Sequence, residues 1–168
     1  LQSRGLGDVY KRQAHLETLT DWKAGGRVRS IGITTSHGRR HADFAKVMET
    51  QPLDFVQFTY NIEDREAEKR LLPLAQERGL GVIINRPFQR GGLFDEVKGK
   101  PLPAWASEID CRTWAQFFLK FVVSHPGVTC AIPATRRVDH MRENMAASQG
   151  LMPDAAMRKR MTDYFEAL

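Results

Sequence analysis

The segment VTCAIPATRRVDHMREN, residues 128–144, runs from an apolar strand through Pro133 into the start of a basic helix. At that junction Ile132, Pro133, Ala134, Thr135, Arg136 and Arg137 have the make-up of an anion-binding turn. Backbone N–H groups at a helix N-terminus attract negative charge, whereas the helix dipole disfavours arginine in a first turn; an external anion would resolve that conflict. Two solvated surface arginines are the alternative. Glu143 and Asn144 follow two turns along the same helix, within reach of the adenosine end of a dinucleotide lying across the turn, or simply on an exposed face. His140, between them and the turn, would line such a site or face water. Gln57 is an amide inside the apolar strand LDFVQFTY, suited to bonding another amide such as a carboxamide ligand, or else directed outward from the sheet. Thr34 and Thr35 could serve the same ligand from a neighbouring strand, or cap the following helix. None of these segments contains an Asp/Glu pair, a Ser-His-Asp grouping or a metal cluster, so they bind and orient rather than move protons. His37 and His41 have i, i+4 spacing but no third ligand in view, and no metal site is expected.

Groups so far apart in sequence meet only if strand ends converge. From His15 onward the chain alternates between helical and strand periodicity. HLETLTDWKAGG reads as a helix ended by glycine, RSIGITTS as a strand, and RRHADFAKVMET as a helix with Phe44, Val47 and Met48 on one face. LDFVQFTY is a second strand and EAEKRLLPLAQERG a helix interrupted or kinked at Pro73. LGVIINRPF is a third strand, apolar enough to be buried on both faces. Residues 89–110 read as a long connecting loop with one short helical turn; its Trp105 would line a pocket or pack over the rim. A helix bearing Trp114, Phe117, Phe118, Phe121 and Val122, the strand VTCAIPA and two further helices complete the chain. Four βα units imply a parallel sheet with right-handed crossovers. Such a sheet is half of an eight-fold barrel, typically about 250 residues long, or a complete doubly wound sheet. Both architectures bring ligands to the C-terminal strand ends, here Thr34–His37, Gln57–Asn61, Asn85–Gly92 and Ile132–Arg137.

At 168 residues with 42% hydrophobic content the chain can bury a real core, and no apolar run approaches a membrane span. The net charge of +5 is scattered, without the aromatic and basic strip that would favour nucleic acid. Cys111 and Cys130 lack metal or redox spacing and are expected to be buried free thiols, which suits a reducing, cytoplasmic setting. Residues 1–13 show neither periodicity and resemble translated adapter sequence, so residues 14–168 are taken as the folded part.

RVRSIGIT, DFVQFTYN, RLLPLAQERGLGVIINRPF and CAIPATRRVDHMRENMAA together resemble the C-terminal half of an aldo-keto reductase. The resemblance covers about Leu16 to Leu168 and is specific in the Ile-Pro-x-Thr turn followed by Glu-Asn, the family's NADP-binding signature. It implies an α/β fold, a partial (β/α)8 barrel of about four βα units plus a C-terminal helix. It also implies binding of NADP(H) and hydride transfer to a small carbonyl substrate in the full-length protein. Thr34 and Thr35 stand where the family's carboxamide-binding pair sits, and Gln57 matches its carboxamide-binding glutamine. Asn85 and Arg86 replace a tyrosine and a serine, and Arg86 or Phe88, flanking Pro87, would partly substitute for the lost stacking contact. Ile132, Pro133, Ala134, Thr135 and Arg136 match the phosphate turn, and Glu143 and Asn144 the adenine-contacting pair. His140 replaces an arginine that some members place on the 2′-phosphate.

The family's Asp-Tyr-Lys-His tetrad belongs to the first half of the barrel, upstream of the matched segments, so this chain alone is expected to be inactive. A non-catalytic nucleotide-binding or regulatory module of the same fold is the second reading. A half barrel of an isomerase or aldolase is disfavoured, because no strand end offers a base or a Schiff-base lysine.

Overall fold

Strands that carry apolar residues at alternate positions need one face covered, and amphipathic helices need a surface to cover. The computed structural model describes residues 9–36 and 40–168. The elements are α1 (Val9–Ala24), β1 (Gly32–Thr34), α2 (His41–Thr50), β2 (Phe55–Thr59), α3 (Leu71–Glu77), β3 (Gly81–Asn85), α4 (Gly92–Glu96), α5 (Trp114–Val123), β4 (Cys130–Ala131), α6 (Val138–Ala146) and α7 (Ala155–Glu166). The strands form one parallel sheet in the order β1-β2-β3-β4, with each crossover helical. Thr34, Gln57, Ile83 and Cys130 stand in one row across it.

Side chains alternate across the pleat. Val56, Phe58, Val82 and Ile84 face the helices and pack with Phe44, Met48, Leu71, Leu74, Phe117, Phe121 and Met161 in one core. Phe55, Gln57 and Ile83 point to the other, concave face, where Phe55 is 37% exposed. A Cβ at Gly81 would collide with the Phe55 ring, so glycine there lets the ring lie flat on β3. The concave face explains two departures from the sequence reading. β3 is not covered throughout on both faces, since Ile83 opposite the helix side is half-exposed, and Cys130 is exposed on edge strand β4 while Cys111 is buried. Both thiols are free, as expected.

The helix expected over EAEKRLLPLAQERG, with a kink or break near Pro73, divides into a 3-10 turn at Glu66–Lys69 and α3, broken at Arg70. Pro73 requires this, because its ring would clash with the carbonyl of Lys69 four residues back in a continuous helix. Residues 89–110 are more ordered than a loop, with 3-10 turns at Gln89–Gly91 and Ala104–Ile109 around α4. Trp105 in this stretch packs against Phe117 and Tyr164 and under Arg160, so it belongs to the rim. α1 begins at Val9, inside the segment expected to lie outside the fold.

α5 is the central helix. Thr113 caps it by accepting from the Gln116 N–H at 3.3 Å, and the Gln116 side chain accepts in turn from the Arg112 N–H at 2.8 Å, close to a capping box. Its stripe of Phe117, Phe118, Phe121 and Val122 is fully buried, each side chain contributing about 1.5–3 kcal/mol of burial free energy. α7 is held by buried Arg158, which donates to the Phe121 carbonyl, to the Tyr60 hydroxyl and, at 3.0 Å, to Glu68. Burial raises the Tyr60 phenol above its ordinary value, and it remains a neutral donor to Glu68. Among the described residues no helix is long and apolar enough to cross a membrane.

Candidate functional site

The strand ends hold two groups of polar side chains. The first spans β1, β2 and β3. Gln57 Nε2 donates to Thr34 Oγ1 at 3.0 Å, and the Gln57 side chain is half-buried. The N-cap position of α2 is Arg40, which makes no side-chain bond to the helix. Asn85 is buried: Oδ1 accepts from the Thr59 hydroxyl at 2.8 Å and Nδ2 donates to the Thr35 carbonyl at 2.9 Å. Asn85 therefore ties three strand ends together, and its amide is committed to that bracing instead of facing a ligand. Arg86 extends the brace, donating to the Ser36 carbonyl at 2.7 Å and the Ser36 hydroxyl at 3.0 Å.

The second group lines a cavity of about 710 Å³ between the β3 exit, the start of α5, the β4 exit and α6. That volume is in the range of small-molecule and cofactor sites. One wall is Arg86, Pro87 and Phe88, continued by Arg90, Gly91, Phe94, Trp114 and Ala115. The facing wall is Ile132, Pro133, Ala134 and Thr135, then His140, Glu143 and Asn144 on α6. Ten of the fifteen residues singled out in the sequence thus converge on one cavity; Thr34, Thr35, Gln57 and Asn85 form the neighbouring cluster, and Arg86 belongs to both.

Arg136 is the exception: it is exposed and is not part of the cavity wall. Arg137 is committed as well, because it pairs with Asp139 in the first turn of α6. That guanidinium, helped by the His140 backbone N–H, holds the Asp139 carboxyl down at about 2. An i, i+2 ion pair therefore satisfies the arginine that seemed to need an external anion. Thr135 shapes the turn by accepting from the Arg137 N–H at 3.2 Å.

Positive charge instead faces the turn from across the cavity. Arg90 has no hydrogen-bond or ion-pair partner among the described residues and stands near Arg86, whose pKa is lowered by burial and then by Arg90. Both have left-handed backbones, Arg86 at φ 51° and Arg90 at φ 60°, and Gln89 at φ 50° and Gly91 at φ 100° make a run of three. Side chains at positive φ cost of order 1–3 kcal/mol each and concentrate where a loop must present its backbone to a ligand. Phe88 and Phe94 lie 4.9 Å apart between ring centroids, and Phe94 meets Phe118 at 5.9 Å, giving the cavity an aromatic side. Arg90, Phe94 and Trp114 are wall residues that sequence reasoning missed; the QRGG turn before an apolar residue was the available signal for the first of them. His37 lies outside the described residues, so the His37/His41 pair has no geometry to report, and no group of three potential metal ligands occurs among the described residues.

The profile of the aldo/keto reductase family matches residues 8–160. This chain belongs to the aldo/keto reductase family. Among curated relatives, an uncharacterised oxidoreductase of Schizosaccharomyces pombe is 27% identical over 137 residues, 82% of this chain and 42% of the relative. An NADH-specific methylglyoxal reductase of Escherichia coli is 30% identical over 91 residues, 52% of this chain and 26% of the relative. The crystal structure of an aldo/keto reductase from Klebsiella pneumoniae in complex with NADP and acetate superposes with a TM-score of 0.72 at 24% identity, over 95% of this chain and 56% of that one. The chain therefore spans less than half the length of these curated relatives. In this aldo/keto reductase the four parallel strands and their helices are a partial (β/α)8 barrel, so the doubly wound alternative is set aside.

Proposed function

We propose that this chain is the cofactor-holding half of an NADPH-dependent carbonyl reductase, in a cytoplasmic setting. The observation that carries the reading is the single cavity shared by the β3 exit and the β4–α6 turn, with unpaired Arg90 on one side and Thr135 on the other. The residues present fit a dinucleotide. Arg90 on one wall and the turn at residues 132–135 on the other would offer cationic and backbone donors to a pyrophosphate, and Glu143 and Asn144 an acceptor and an amide to an adenosine. On the adjoining face Gln57, its amide nitrogen held by Thr34, would accept a carboxamide N–H through its oxygen. Bound NADPH would supply a hydride to an aldehyde or ketone; the residues described here bind it, orient it and screen it from water. His140, in place of a second fixed cation, leaves room for NADH as well as NADPH.

One observation favours the second reading, a nucleotide-binding module without chemistry. Thr34, Thr35, Gln57 and Asn85 are hydroxyls and amides, and none of them titrates near neutral pH. A fluorescence titration of the folded chain with NADPH and NADH tests what both readings share: binding that saturates, tighter for NADPH, is expected, and absence of binding by folded chain would remove both. Neither reading expects NADPH oxidation from these 168 residues alone; with a panel of small aldehydes, the longer protein that the first reading requires should oxidise NADPH, and the second reading expects none.

A further inference from the structure

Lys120 lies in the middle of the apolar run FFLKFVV and is fully buried, at 0% exposure. Among the described residues it has no carboxylate partner. Its ammonium donates to the Gln149 carbonyl at 2.6 Å and the Leu151 carbonyl at 2.7 Å, with Met152 Sδ at 3.8 Å. A buried cation without a counter-ion is costly unless its donors are used, and here they are used on the turn that ends α6. A second residue holds the same turn. Asp110 Oδ2 accepts from the Leu151 N–H at 2.9 Å, and Gly150, at φ 71°, brings the backbone so close that a Cβ there would collide with that carboxylate.

The helix these two residues hold needs an anchor. α6 buries none of its own side chains, and Val138, Met141 and Met145 are exposed along it. Apolar packing therefore does little to fix its position. Its N-terminal end continues from β4, which makes only a two-residue strand, while its C-terminal end is clamped by Lys120 and Asp110. A cation at a helix C-terminus is also favoured by the helix dipole.

We infer that Lys120 is a positioning residue for the adenosine end of the cavity: by holding the α6–α7 turn from inside the core it sets where α6 presents His140, Glu143 and Asn144. The inference rests on the dinucleotide reading of the cavity. Lys120 touches no ligand itself; it acts through the helix.

The test uses the 168-residue chain with two half-ligands, 2′-phospho-ADP-ribose for the adenosine end and reduced nicotinamide mononucleotide for the other. Lys120→Met, similar in length and neutral, should weaken 2′-phospho-ADP-ribose binding about tenfold while leaving the mononucleotide within about twofold. A merely structural loss would weaken both alike. In a Glu143→Ala background the Lys120→Met effect on the adenosine fragment should shrink to about twofold or less, because the helix then has less to present. Should Lys120→Met not fold, Asp110→Ala decides, since Asp110 is exposed and its loss opens no cavity; the same selective weakening, several-fold, is expected. Wild-type chain that binds neither fragment would overturn the dinucleotide reading. Wild-type chain that binds 2′-phospho-ADP-ribose, with variants that bind it equally well or lose both fragments in parallel, would overturn the role of Lys120 alone.

Discussion

Asn85 and Gln57 are neighbouring amides to which the structure gives opposite duties, and replacing each by alanine should separate them. Asn85→Ala removes two hydrogen bonds, from the Thr59 hydroxyl and to the Thr35 carbonyl. At about 1 kcal/mol each, plus about 1 kcal/mol or more for stranding a Thr59 hydroxyl that is 4% exposed, the expected loss is about 3 kcal/mol. Thr59→Val breaks the same contact from the other side, so the double variant should fall short of additivity by about 1 kcal/mol. Gln57→Ala loses one bond, to an exposed Thr34, and should cost less than about 1 kcal/mol. Its effect appears in NADPH affinity, weakened about tenfold by the lost carboxamide contact. Urea unfolding followed by far-UV circular dichroism gives the stabilities, and NADPH fluorescence gives the affinities. An Asn85→Ala chain that unfolds within about 0.5 kcal/mol of wild type, or a Gln57→Ala chain that loses the stability and keeps the affinity, would show that the two amides do not divide the duties in this way.

Arg90→Gly removes the unpaired cation and relieves a left-handed backbone at once. NADPH binding should weaken about tenfold and lose part of its salt dependence, while thermal stability holds or rises; a fall in both would place Arg90 in the scaffold. His125 accepts from the Gly127 N–H at 3.0 Å, and its pKa is lowered from 6.5 by burial first and then by Arg158, with Glu68 opposing. Below pH 6.5 the unfolded chain therefore binds more protons than the folded one, so stability should fall as pH drops through 6.5 toward the lowered value. His125→Asn, which keeps an acceptor, should flatten that slope in urea unfolding at pH 5 and 7; His41, lowered mainly by burial, leaves a residual slope. Arg158→Met breaks the buried link from α7 to Glu68 and Tyr60 and should cost about 3–5 kcal/mol in the same assay, against under about 1 kcal/mol for exposed Lys159→Met.

Much of the scaffold was legible because period-2 and period-3.6 apolar patterns are local. The Phe117, Phe118, Phe121 and Val122 stripe needs no knowledge of the fold, and neither does the Thr135 turn running into Glu143 and Asn144, which is contiguous. What sequence could not supply was the partner across the cavity. Arg90 and Phe94 join the wall around a run of left-handed backbones at Gln89, Arg90 and Gly91, which no side-chain period encodes, and Trp114 joins it from the start of α5. Arg137 was misread for a different reason: a cation in a first turn can be answered by a carboxylate two residues on, and Asp139 stood in plain sight. The buried face of β3 was over-read because a continuous apolar run looks the same whether one side or both are covered. Lys120 had a signal that passed unused, a lysine in the middle of a core stripe, where an ammonium needs carbonyls arranged around it.

The most direct test of the account is amide chemical-shift mapping on isotopically labelled chain titrated with 2′-phospho-ADP-ribose. Saturable shifts should concentrate at Arg90, Gly91, Thr135, His140, Glu143 and Asn144, the two facing walls of one cavity. Shifts confined to one wall, or none at all in a well-dispersed spectrum, would contradict it.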